Sequence, residues 1–98
     1  METRRFVVSQ DIEGTFRFKG QLTIHDLEYL KEFLDVSLAE LKIISLDMEK
    51  VVYADTASIQ LLIAFRKARS SKVNWQITKM SPELEKILEI SGLKKEII

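Results

Sequence analysis

The sequence predicts a two-layer α/β sandwich, a mixed sheet of four to five strands with helices mainly on one face. The expected order is β-β-α-β-α-β-α, with room for a final β. Short alternating segments interleave with segments whose apolar residues recur at helical spacing. Residues 15–19 and 73–77 alternate polar and apolar side chains, so each strand has one polar face. A parallel sheet covered on both sides lacks such a face, and one open face gathers the helices on the other. There are no internal repeats and no linker, and residues 1–98 read as one domain.

Phe6-Val7-Val8 opens the first strand, and Asp11, Glu13 and Gly14 predict a hairpin turn after it. In the second strand Phe16 and Phe18 share a face, and Gly20 is expected to end it. Thr23 is expected to cap the first helix, with Asp26 three residues on as a weaker capping-box partner. Ile24, Leu27, Leu30, Leu34, Leu38 and Leu41 recur at helical spacing and predict a helix over 24–41. Residues 43–46 are short and β-branched, hence a third strand followed by a short turn.

Asp55 then occupies an N-cap position, opening a second helix over about 56–70. Ala57, Leu61, Ala64, Phe65 and Ala68 form its expected inner stripe, widened by Ile59, Leu62 and Ile63. In the fourth strand Val73, Trp75 and Ile77 point inward. Ser81-Pro82 is a cap followed by proline at the first helical position. Leu84, Ile87, Leu88 and Ser91 share one face of that helix, and Gly92 stops it. Glu96-Ile97-Ile98 is expected to add a short last strand.

A 46% hydrophobic content supplies a single core, and 3 Gly with 1 Pro argue against a low-complexity chain. The net charge is zero, so no bulk field points to nucleic acid or membrane. Residues 1–49 carry 6 basic and 10 acidic groups and residues 50–98 carry 9 and 5, a mild asymmetry. There is no cysteine for a disulfide or a thiolate metal site. No apolar run approaches the roughly 18 residues of a membrane span, so a soluble, cytoplasmic protein without membrane insertion is expected.

Catalytic signatures are missing. The glycines at 14, 20 and 92 are too scattered for a phosphate loop. His25 is the sole histidine, has no nucleophile elbow near it, and reads as an exposed first-turn residue. Asp11, Glu13, Asp26 and Asp55 match no metal loop. No enzyme, cofactor or metal is therefore expected. Arg66, Lys67, Arg69 and Lys72 read as a solvated helix end whose charge suits the helix dipole. What remains is Asp55-Thr56, an acid beside a hydroxyl at a helix N-terminus. The free N–H groups there accept phosphate, which makes it a good place to switch a charge.

Three local patterns carry a family resemblance. Gly20-Gln21-Leu22-Thr23 is similar to a Gly-Glu-Leu-Asp entry to the first helix. Leu46-Asp47, followed by Val51 through Asp55-Thr56-Ala57-Ser58-Ile59, is similar to a strand and its Asp-Ser-Ser-Gly-Leu loop. Ser81-Pro82 through Ile90-Ser91-Gly92-Leu93 is similar to a Ser-Pro helix with a Ser-Gly-Leu ending. In order and at this spacing they resemble the STAS domain of bacterial anti-sigma factor antagonists, from Phe16 to about Leu93.

The resemblance implies a regulatory protein-binding module whose hydroxyl after the loop aspartate, here Thr56, is phosphorylated by a serine/threonine kinase partner. A phosphatase would reverse the step. Ser58 is the secondary phosphosite candidate, Asp55 the cap beside the switch, and Gln21, Thr23, Ser58, Ile59, Gln60 and Ile63 the expected partner contacts. Ser58 stands where the family has glycine, Ile59 where it has leucine, and Gln21 and Thr23 where it has acids. The family's final helix is expected to be missing, leaving Ile97 and Ile98 partly exposed against a partner or a second copy in a homodimer. Threonine at the switch also resembles members that do not bind anti-sigma factors. One is a constitutive subunit on the ATPase of a phospholipid-trafficking ABC transporter; others serve chemotaxis or surface-signalling complexes.

Overall fold

Alternation along the strands sorts the side chains onto two faces of one sheet. The computed structural model describes residues 4–98. β1 (Phe6–Gln10) and β2 (Phe16–Leu22) form an antiparallel hairpin with Val8 opposite Phe18. Asp11 closes its turn, Oδ1 accepting from the N–H groups of Glu13 and Thr15 at 2.9 and 3.0 Å. β3 (Ile43–Ala54) runs parallel to β2, and β4 (Asn74–Met80) parallel to β3, giving the sheet order β1-β2-β3-β4. α1 (Leu27–Glu32) lies between β2 and β3, and α2 (Thr56–Ala68) between β3 and β4. α3 (Pro82–Ser91) and α4 (Lys94–Ile97) follow β4.

Phe16 and Phe18 of β2 and Ile44 and Leu46 of β3 share one core with Leu30, Ile59, Leu62 and Leu88 from the helices. Each fully buried side chain of this kind stabilises by about 1.5–3 kcal/mol. Phe33 sits edge-on to Phe16 and Phe18, at 5.4 and 5.6 Å between ring centroids. On the opposite face Arg17, Lys19 and Gln76 are exposed. The sheet is therefore mixed and four-stranded, with helices on one face, as its alternation predicts.

Several boundaries differ from the sequence expectation. Gly20 does not end β2. The strand passes through it at φ +112, where a Cβ would strike the Arg5 carbonyl, and the Gln21 N–H donates to that carbonyl at 2.8 Å. The helix expected over 24–41 is a 3₁₀ turn (Ile24–Asp26), then α1, then a π turn (Phe33–Ser37). Asp26 forms no capping box with Thr23: its N–H donates to the Thr23 carbonyl at 3.0 Å, but its carboxylate accepts from the Arg5 N–H at 2.9 Å. β3 continues past Leu46 to Ala54, with register shifts against both neighbours. Asp47 within it is buried, accepting from the Glu49 N–H at 2.9 Å and facing Arg17 Nε at 3.4 Å.

The inner face of α2 is Ser58, Ile59, Leu62 and Ile63, rotated from the expected alanine-containing stripe. At the far end, 94–97 coils into α4 instead of a strand. Ile97 is buried and Ile98 half-exposed.

Candidate functional site at the start of α2

Asp55 joins two helix entries. Its backbone is extended, as an N-cap requires, and its own N–H donates to the Leu22 carbonyl at 2.9 Å. One carboxylate oxygen accepts from the Ser58 N–H at 2.9 Å, the other from the Ile24 N–H at 2.7 Å. The cap of α2 thus also fixes the start of the 3₁₀ turn, a task the sequence assigns to Thr23. Thr23 makes no cap bond, and its hydroxyl is buried without a partner.

Burial acts to raise the Asp55 pKa, but the two backbone N–H bonds oppose it and His25 adds favourable charge. The Ser58 hydroxyl contributes by proximity, without the geometry of a formed hydrogen bond. The net effect holds the carboxyl below its ordinary 3.8, so Asp55 is ionised at neutral pH.

Thr56 is exposed at the first helical position. The opening N–H groups of a helix lack intrahelical partners and point at anions. Gln60 and Gln21 are exposed beside this loop, and Gln21 pairs in register with Tyr53. Three expected partner contacts are corrected. Ser58, Ile59 and Ile63 are 0%, 1% and 4% exposed and face the core, because the helical phase turns 59 and 63 inward with 62. Burial likewise removes Ser58 as an accessible phosphosite.

Two apolar residues of this surface were not legible as such. Ile24, assigned to a helical core stripe, is 62% exposed because the 3₁₀ turn rotates it outward. Tyr53, beyond the strand expected over 43–46, is 45% exposed on the last stretch of β3. A tyrosine two residues before the cap was the available signal. His25 is exposed, and no cluster of His, Cys, Asp and Glu among the described residues could hold a metal.

The STAS domain profile matches residues 4–98, and the chain belongs to that family. The fold is similar to that of an anti-sigma factor antagonist from Mycobacterium paratuberculosis. The TM-score is 0.74 at 13% identity, covering 92% of this chain and 79% of that one. It is also similar to the anti-sigma factor antagonist SpoIIAA in its unphosphorylated form, with TM-score 0.67 at 17% identity, covering 95% and 85%. A sulfate transporter family protein from Wolinella succinogenes aligns with TM-score 0.65 at 18% identity, covering 92% and 75%. At these identities the likeness is one of fold. Comparison with curated proteins found no match. Among the described residues no helix is long and apolar enough to cross a membrane.

Proposed function

We propose that the chain is a non-enzymatic regulatory protein-binding module, similar to the anti-sigma factor antagonists and switched by phosphorylation of Thr56 by a partner kinase. The observation that carries this is the exposed Thr56 hydroxyl at the start of a 13-residue helix, next to an ionised capping carboxylate. The unmodified form exposes the polar Thr56, Gln60 and Gln21 and the apolar Ile24 and Tyr53. The kinase moves the terminal phosphoryl group of a nucleoside triphosphate to the Thr56 oxygen, breaking the terminal P–O bond and releasing the nucleoside diphosphate and the hydroxyl proton, which adds about −1.5 to −2 charge. The helix N-terminus partly compensates that charge, so α2 stays folded. Charge repulsion and the bulk of a hydrated phosphate at the interface then drive the partner off. A phosphatase restores binding.

Mapping phosphate on the protein purified from its own cells tests the switch. Phosphate on Thr56 is expected, and Thr56→Glu is expected to weaken binding to the kinase-like partner by about tenfold or more. Absence of phosphate across growth conditions, with Thr56→Glu binding like the unaltered chain, would remove the proposal.

The sulfate transporter family neighbour supports a second reading, a constitutive transporter subunit. Thr56 would then be a fixed contact on a transporter ATPase, including one that moves phospholipid, or within a chemotaxis complex. Stoichiometric co-purification with an ATPase, unaffected by phosphatase treatment, selects this reading.

A further inference from the structure

A second site lies at the other end of α2. Thirteen residues at about 1.5 Å each place it roughly 20 Å from Thr56. There a cleft of about 230 Å³ opens between the last turn of the helix and the first residues of β4. Its floor is aromatic: Phe65 and Trp75 are half-buried, with ring centroids 6.3 Å apart and planes tilted by 48°. Arg66, Arg69, Ser70, Val73 and Asn74 complete its lining.

The two arginines are positioned but not neutralised. Arg66 Nη1 donates to the Glu96 carbonyl at 3.0 Å, and Arg69 Nη2 reaches the Leu41 carbonyl at 3.4 Å. Arg69 also lies over the Phe65 ring, 5.5 Å from its centroid. The ion pairs among the described residues use Arg17, Lys31, Lys67 and Lys94, and neither cleft arginine takes part in one. The neighbouring acid, Glu96, is engaged by Lys67 at 2.9 Å. Favourable charge at a helix C-terminus requires only a cation near the last carbonyls, as Lys67 already provides. It does not require two guanidinium groups around an aromatic floor. Guanidinium forks match carboxylate and phosphate, and flat rings stack on aromatic faces.

We propose that this cleft binds a small aromatic anion, a flat ring bearing a carboxylate or phosphate. The ring lies against Phe65 and Trp75 and the anionic group is held by Arg66 and Arg69. The volume is below the range of about 300–1,000 Å³ typical of drug-sized sites, which limits the ligand to about one ring and its anionic group. The proposal is independent of the Thr56 switch.

Trp75 is the only tryptophan, so the floor of the cleft reports on itself. Its fluorescence, excited at the red edge, and the NMR shift of its indole N–H are followed during titration of the whole chain with phenyl phosphate. Inorganic phosphate and benzyl alcohol serve as comparison probes. Saturable changes in both signals are expected with phenyl phosphate. Arg66→Gln and Arg69→Gln each keep a donor for the backbone carbonyl and are expected to weaken binding by about tenfold with unchanged circular dichroism. Lys79→Gln, an exposed cation outside the cleft, and Thr56→Glu are expected to leave it within about twofold. Absence of saturation, equal affinity for either comparison probe, or equal weakening by Lys79→Gln would each overturn the assignment.

Discussion

Asp55 shows how one side chain can serve two elements. Each of its oxygens satisfies a different helix-opening N–H, so Asp55→Ala removes more than an ordinary cap, whose loss typically costs about 1 kcal/mol. Asp55→Asn keeps a side-chain acceptor but loses the charge. The folded carboxyl has a lowered pKa, so its contribution to stability is fully present above the unfolded value. It is lost as pH falls through the folded value, below 3.8. Urea denaturation at pH 7 and at points below pH 4 checks this. The stability gap between the unaltered chain and Asp55→Asn is expected to close on acidification, and a gap that stays constant with pH would contradict the linkage. The cap was legible because its chemistry is local: an acid, then a hydroxyl, then an apolar helix. The exposure of Ile24 was not, because a 3₁₀ turn held by a residue 31 positions away leaves no trace in the spacing of leucines.

Among the elements, caps and strand ends divided along the same line. Ser81-Pro82 and Gly92 bound α3 as read, with Ser81 Oγ accepting from the Leu84 N–H at 3.0 Å and Gly92 left-handed at φ +74. The short β-branched run predicts a third strand over 43–46 only, and the charged Asp47, Glu49 and Lys50 follow it. The strand accommodates them with register shifts, and shifts arise from neighbouring strands that periodicity cannot register. The apolar residues of α2 leave its phase ambiguous, and only packing against the sheet turned Ser58 inward. At Gly20 the second strand of the hairpin passes close against the backbone of Arg5 and Phe6. Gly20→Ala is expected to cost roughly 1–3 kcal/mol, read as a lowered urea midpoint with unchanged slope. An unchanged midpoint would mean that the Arg5 backbone yields without cost.

At the scale of the whole molecule, the chain end is fastened by polar contacts as well as by Ile97. Trp75 Nε1–H donates to the Ile97 carbonyl at 2.8 Å, and Lys67 and Arg66 hold Glu96 from α2. Trp75→Phe keeps a ring but removes the donor. Amide exchange at Glu96 and Ile98 is expected to accelerate about fivefold, the equivalent of one neutral hydrogen bond, while Leu46 in the core is unaffected. Equal acceleration at Leu46 would show that the end and the core open together. The last strand expected from β-branched Ile97 and Ile98 gives way to α4 because Ile97 gains more from the core than from a strand edge.

The four strands stand in the sheet in the order in which they leave the ribosome. Each newly made strand meets a neighbour that already exists, and none has to be inserted between two that have paired. The sheet can grow by accretion during synthesis, with β3 laid against a finished hairpin and β4 against β3. The half-made protein therefore carries a bare growing edge along β3, and β4 later covers its first half, Ile43–Met48. Until Asn74–Met80 emerges, that half is open to strands of other nascent chains, an interval that invites aggregation.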